Sequence, residues 1–458
     1  MDAAFDVVVV GARCAGSPLA ALLAREGLSV AVVDRAEFPS DTISTHIFQN
    51  EGVRVLERLG VLDEVLSSGA PWLERNRLRV EGLRIDAAIP CRADDPGPWL
   101  CVRRPLLDTV LVDAARRAGA DVRTGTTVVG LVEEDGRVSG VSVRGQAGDK
   151  VLRAPLVVGA DGRASVVARS TGARGYNLIP SQRFGLWTYY EDADRSPGGS
   201  LFTQRWDDEL VLAAPADSGL FLVIVMPPVE RLADWRSDPE RFFDDHVARC
   251  EPVADVVADA RRVGRLQAML RWTGYFRESA GPGWVLVGDA GHFKDPTPGQ
   301  GISDALRQAD RLAPAIVDGL GGASSLDDAM AAWWRWRDDD AAEMAWFAGD
   351  LGRAGPVPPV LVEILAELVG NGEVNSFLDV FNHRAKPSDV LTPSRLAAAT
   401  GRLLKRREHK RSHILRQTKD MVAEDLRRQR LDKHPAYAES GANLGAATEP
   451  TDGVVQEA

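Results

Sequence analysis

Cysteine is scarce: Cys14, Cys91, Cys101 and Cys250 are the only four in 458 residues. They are scattered, form no CxxC and join no His/Cys cluster. Neither a disulfide framework nor a zinc site is indicated, and no metal is expected. Glycine (43) and proline (26) are too few for a collagen-like or low-complexity chain. Basic residues (55) are outnumbered by acidic ones (66), a net charge of −11. An acidic body argues against a nucleic-acid surface as the main business. No run reaches 18 apolar residues, so no membrane span is expected. The opening MDAAFD has no basic n-region and no long apolar run, so no signal peptide is read. Reduced thiols and a cytoplasmic protein follow as expectations.

What is present is ordinary for a folded chain: 45% hydrophobic and 26% charged residues. The length suggests two to four units of roughly 100–200 residues, or one large composite. Phe5 to Val10 is a short β-branched run, read as a buried strand. Gly11 to Gly16 breaks it, PLAALLAR (18–25) reads as a helix ended by Gly27, and Leu28 to Val33 as a second buried strand. This is a βαβ unit, so the class is α/β with a Rossmann-like core. Helices are predicted from about 50 to 59, 105 to 118 and 239 to 262. Longer antiparallel strands are predicted within 183–228 (RFGLWTYYE, SLFTQRW, ELVLAAP, GLFLVIVM). Residues 326–435 read as almost wholly helical, and the tail from about 436 as disordered.

Three turns carry chemistry. In Gly11-Ala12-Arg13-Cys14-Ala15-Gly16 a strand enters a helix N-terminus, where unpaired N–H groups and the helix dipole favour a pyrophosphate. Asp34, with Arg35 beside it, follows 23 residues after Gly11, where a carboxylate would meet a ribose. Arg13 replaces the usual middle glycine and is a candidate for phosphate or cofactor contact. Cys14 is read as a small filler. The turn at Gly288-Asp289, with Pro296, Gly299, Gln300, Gly301 and Ile302, again follows a buried strand. Asp289 would hold a hydroxylated chain, and the glycines would admit a flat ring. The following helix would aim its positive end at a developing anion. His292 is read as a structural hydrogen bond at this turn. The turn 159–165 brings Asp161 after a third buried strand.

In this order the three turns resemble the FAD-dependent monooxygenases of the para-hydroxybenzoate hydroxylase type, the single-component aromatic hydroxylases. Gly11–Gly16 with Asp34, Gly159–Ser165, and Gly288-Asp289 through Gly301 match the family's three motifs. Val102-Arg103-Arg104-Pro105-Leu106-Leu107-Asp108 looks like its Arg-x-x-Leu-Asp helix start, which implies Arg104 at the flavin. Asp41–His46 looks like the loop reaching the ring. The resemblance implies FAD as cofactor, NADPH or NADH as donor, and oxygen converted to a flavin hydroperoxide that hydroxylates a small, possibly aromatic or secondary-metabolite substrate. It implies a discontinuous FAD-binding domain (1–75, 100–175, 270–330), an inserted β-sheet substrate domain (76–99, 176–269), a C-terminal helical region (331–435) and the tail (436–458). The Arg that often follows the Asp-Gly motif is displaced here, Ala168 standing before Arg169.

Within this frame Trp187 and Tyr189 share one strand face by period 2 and are taken to line the substrate pocket. His46 is the candidate acid/base, a loop hydrogen bond its plainer role. Trp333, Trp336, Phe347 and Met344 read as a packed aromatic face. The basic helix 402–433 reads as docking on the acidic body or on a second subunit rather than on a membrane or nucleic acid. A monomer or homodimer is expected. A reductase resembling the geranylgeranyl-reductase group, and a non-enzymatic flavin-fold binder, stand as alternatives. The Trp-x-Trp-x-Ile-Pro segment of flavin halogenases is absent, since Trp334-Arg335-Trp336 lacks the Ile-Pro.

Overall fold

The computed structural model describes residues 3–146, 148–406, 408–439 and Leu444. Its first unit is β1 (Val7–Val10), α1 (Gly16–Arg25) and β2 (Val30–Val33), followed by α2 (Asn50–Arg58). Then come β3 (Arg75–Val80), β4 (Leu83–Ala88), α3 (Arg104–Arg117), β5 (Asp121–Arg123) and β6 (Leu156–Gly159). The inserted strands are β7 (Gly185–Glu191), β8 (Ser200–Trp206), β9 (Glu209–Pro215), β10 (Phe221–Val225) and β11 (Arg261–Met269). β12 (Trp284–Leu286) and α4 (Gly301–Leu320) return to the first unit. The longer helices that follow are α5 (Leu326–Leu351), α6 (Pro359–Gly370), α7 (Val374–Phe381), α8 (Pro393–Arg406) and α9 (Arg411–Lys433).

The central sheet runs β12-β6-β1-β2-β5 with all five strands parallel, and Ala280–Gly281 adds an antiparallel edge. Alternation of side chains divides the four valines of β1 between two cores. Val7 and Val9 meet α1, α3 and α4, while Val8 and Val10 meet Val141, Val143 and Leu152 of a β-meander on the opposite face. The register aligns Val10 with Val33 and Gly159, and Gly159 with Leu286. All three chemical turns therefore leave the sheet at its carboxyl edge, where α/β folds bind ligands.

The second sheet is β11-β7-β10-β9-β8-β3-β4, antiparallel except where β8 meets β3. Trp187 pairs with Ile224 and Tyr189 with Leu222, which puts these four on one face, as the period-2 reading requires. The other face carries Phe184 and Phe202, covered by Trp235 and Phe242 for the former and Phe221 for the latter.

Two helical expectations differ from the structure. The stretch 239–262 is two short helices, Pro239–Ala248 and Glu251–Val257, after which the chain extends as β11 along β7. Pro252 in the first turn of the second helix marks a restart, and pairing with β7 outweighs the weak helical pattern near 261. The basic stretch 402–433 is cut into α8 and α9, which fold back so that Thr400 and Thr418 hydroxyls meet at 3.0 Å and both Leu403 and Ile414 are buried. The acidic docking is present: Arg406 meets Glu363 at 2.7 Å and Arg428 meets Asp350 at 2.7 Å. The aromatic face of α5 is shared between cores, Trp333 joining the parallel-sheet core and Phe347 standing edge-on to Phe377 and Phe381.

Of the tail read as disordered, 440–443 and 445–458 lie outside the described residues. Its first residues are bound to the body: Asn177 N donates to Ala436 O at 2.9 Å and Ala438 N to Gly175 O at 2.8 Å.

Candidate active site

The first turn is built by exclusion of side chains. Gly11 has φ +103°, and a Cβ there would lie 2.4 Å from Ala160 O; a Cβ on Gly16 would lie 1.8 Å from Gly11 O. Only glycine lets the two turns and the start of α1 close on one another. Ala12 N donates to Asp34 Oδ2 at 2.7 Å and Ala36 N to Asp34 Oδ1 at 2.8 Å. Asp34 is thereby locked at the end of β2 with lone pairs left for ribose hydroxyls, and Arg35 next to it is exposed.

Arg13 turns to protein. Its guanidinium donates to Asp108 Oδ2 at 2.6 Å and Ser40 Oγ at 2.6 Å and lies over Phe38. Asp108 is wholly buried and also takes Arg104 through two oxygens, at 2.8 and 3.0 Å. Cys14 does more than fill space: its thiol donates to Asp108 Oδ1 at 3.3 Å, and burial pushes its pKa far up. One carboxylate thus ties the pyrophosphate turn to the first turn of α3 and fixes Arg104 there.

Asp161 caps the turn after β6, accepting from Val166 N at 2.6 Å while its Oδ1 is buried without a partner among the described residues. Asp289 is partly buried, and burial, opposed by Arg163 and Arg104, pushes its pKa up to about 6. Its backbone carbonyl accepts from the Tyr275 hydroxyl at 2.6 Å. Beyond it, Gln49 Nε2 donates to Gly299 O at 3.3 Å, and Ser303 Oγ donates to Gln49 Oε1 at 2.7 Å. Gln300 Nε2 donates to Phe381 O at 3.0 Å, leaving Oε1 buried and unpartnered among the described residues. Pro296 precedes this run, and Gly301 and Ile302 open α4. The close glycine turn, the acid at the end of β2, and the unpaired Asp161 and Gln300 oxygens fit an extended dinucleotide with a hydroxylated chain.

At the sheet face, His46 is wholly buried with φ +61°, and its Nε2 is hydrogen-bonded to the Tyr189 hydroxyl. The two rings are stacked at 5.7 Å with 7° between planes. His46 Nδ1 is buried with no partner among the described residues. Burial, with Arg104 beside it, pushes the His46 pKa down to about 3, so the imidazole is neutral. Burial likewise pushes the Tyr189 phenol far up. Arg103 lies over the Tyr189 ring at 5.8 Å and holds the buried Asp217 through its own N–H (2.7 Å) and its guanidinium (2.8 Å). Trp187 lies two residues back on the same face, 5% exposed.

Several groups here had weak or no sequence signal. Asp108 was visible as the i+4 partner of Arg104. Asp217 and His383 had none. Lys294, inside the second motif, is buried with Nζ 2.7 Å from Asp304 Oδ2, and His383 Nε2 lies 3.1 Å from Asp304 Oδ1. Burial alone would raise Asp304, but Lys294 and His383 hold it far below the carboxylate range. His292 makes no turn hydrogen bond through Nε2; its ring packs on Phe276 at 4.5 Å. No group of three or more metal-ligating side chains occurs among the described residues. No helix among them is long and apolar enough to cross a membrane.

A family model described as FAD binding domain matches residues 4–330. The chain belongs to the FAD-binding domain family. It is 30% identical over 331 residues to 6-methylpretetramide 4-monooxygenase of Streptomyces rimosus, covering 69% of this chain and 76% of that one. It is 32% identical over 368 residues to menaquinone reductase of Mycolicibacterium smegmatis, covering 73% and 80%. Among solved structures, a myxobacterial chondrochloren halogenase superposes with TM-score 0.70 at 22% identity over 87% of this chain and 97% of that one, a likeness of fold. The FAD-dependent monooxygenase resemblance read from the sequence is borne out at the level of the family, and FAD is the cofactor.

Proposed function

We propose that the protein is a monooxygenase that uses NADPH or NADH and molecular oxygen to hydroxylate an aromatic, polyketide-like small molecule. The observation that carries this reading is the buried His46–Tyr189 pair on the apolar face of the second sheet. When bound, FAD supplies hydride acceptance and oxygen activation. The residues of this chain do the rest. Trp187, Leu222 and Ile224 form a wall that excludes water and accepts a flat ring. The neutral His46 bonds Tyr189 through one nitrogen and presents the other, unpaired, to the site. With the proton on Nε2, Nδ1 accepts; with it on Nδ1, Nδ1 donates. The pair can therefore accept a hydrogen bond from a substrate hydroxyl at Nδ1, or donate one to it, without burying a charge on His46. Polarising a phenol in this way enriches its ring in electrons, which is what an electrophilic oxygen requires. Arg103, clamped by Asp217, holds the Tyr189 ring in place. Arg104, Asp34, Asp161 and Asp289 are proposed to hold the cofactor along the carboxyl edge, with Gly299 to Ile302 under its ring.

The 32% identity to a menaquinone reductase favours a second reading, reduction of a double bond or quinone on the same scaffold. Oxygen separates the two. Under ¹⁸O₂ with NADPH and a panel of phenolic polyketides, hydroxylation requires one labelled oxygen in the product. Turnover that continues unlabelled and anaerobically with a quinone or alkene acceptor would establish reduction instead.

A further inference from the structure

The outward face of α9 is unlike the rest of the surface. Leu415, Val422 and Leu426 are 53%, 45% and 50% exposed, three of the eight large exposed apolar side chains among the described residues. Their spacing of seven and four residues puts them in one stripe. Lys419 stands within that stripe at helical spacing from all three, and Arg411, Arg430 and Lys433 extend it at steps of four, four and seven. None of these four cations makes an ion pair among the described residues. The helix's four acids point elsewhere: Asp420 is turned about 100° from Lys419, Glu424 binds Arg427 and Arg428, Asp432 accepts from Trp346 Nε1 at 3.0 Å, and Asp425 at the edge holds Gln429. The opposite side anchors α9 through Ile414 and the Arg428–Asp350 pair at 2.7 Å. A rigidly mounted helix thus presents an apolar line edged by free cations, on a chain whose net charge is −11.

We propose that this face of α9 docks the enzyme on an anionic lipid surface. The aliphatic side chains would enter the headgroup boundary, while the Lys and Arg stems lie along them and their charged ends meet lipid phosphates. Charge complementarity selects this occupant. A second copy placed on the same face would set Lys419 and Arg430 against their own images.

The test is sedimentation of the full-length, FAD-loaded protein with phosphatidylglycerol vesicles, with phosphatidylcholine vesicles as control. Because the body repels anionic vesicles, binding reports on this face. Binding to phosphatidylglycerol that weakens in 0.5 M salt, where the Debye length is roughly threefold shorter than at 0.05 M, is expected, with little binding to phosphatidylcholine. Reversing charge in Lys419→Glu/Arg430→Glu should lower the partition constant by at least fivefold per site, roughly. Leu415→Asp/Leu426→Asp should abolish it with flavin content and circular dichroism unchanged. Absence of wild-type binding overturns the proposal, as does binding that both double variants retain. A wild-type dimer in sedimentation velocity that Leu415→Asp/Leu426→Asp converts to monomer would assign the face to self-association and overturn it too.

Discussion

Arg13 and Asp108, 95 positions apart in the chain, meet at 2.6 Å, and the same carboxylate holds Arg104. A single buried acid therefore sets the distance between the pyrophosphate turn and α3. Asp108→Ala would leave the guanidinium of Arg104 buried and unpaired, costing about 3–5 kcal/mol. Urea titration and flavin release at 25 °C check this; Asp108→Asn, which keeps the shape, should lose less.

Gly16→Ala should prevent cofactor retention, because its Cβ would lie inside the contact radius of Gly11 O. A cost above roughly 2 kcal/mol is expected. Gly27→Ala is the control: its φ is positive (+85°), but the space around it is open. It should cost only about 1 kcal/mol and leave the bound flavin spectrum unchanged.

His46 gives a pH signature in the apoprotein. Its pKa falls from 6.5 to about 3 on folding, so below pH 6.5 the unfolded chain takes a proton that the folded chain refuses. Stability is lost as pH falls from 6.5 toward 3, by about 2 kcal/mol at pH 5. In His46→Gln that share of the loss should vanish when unfolding free energies at pH 7 and pH 5 are compared. His383, pushed down to about 4 by burial, acts in the same direction, whereas Asp289 opposes both between about 6 and 3.8. The variant isolates the His46 share.

Tyr189→Phe should keep FAD content and KM near wild type while lowering kcat by about 10-fold, from loss of the hydroxyl that holds His46 against the substrate. Stopped-flow and steady-state rates over pH 6–9, roughly the range flanking neutrality, would separate this from a packing effect, which would move KM or flavin content as well.

Lys294→Met should destabilise the fold by about 3–5 kcal/mol, because Asp304 loses its nearest cation. Lys294→Met/Asp304→Asn should recover much of that loss in thermal melts, since both members of the buried pair are then neutral.

The sheet that carries the cofactor turns was legible because each strand is a short β-branched or apolar run followed at once by glycine, as at Val10-Gly11, Val158-Gly159 and Val287-Gly288. The pairing of Trp187 and Tyr189 on one face followed from period 2. What brings Tyr189 to His46 did not, because 143 residues separate them and the contact depends on how the second sheet leans on the loop 41–46. Asp217 and His383 were invisible for the same reason: each reaches the site from a turn whose local sequence has no chemical pattern. β11 was missed because an exposed edge strand rich in arginine lacks clean alternation, its partner β7 supplying the order.

The strand order of the parallel sheet has a temporal consequence. β1 lies between β2, met within about the first three dozen positions, and β6, while β12 at 284–286 closes the far side of β6. A chain leaving the ribosome completes this sheet only after more than half of its translation, so the early glycine turn must wait, half-built, for its later neighbours.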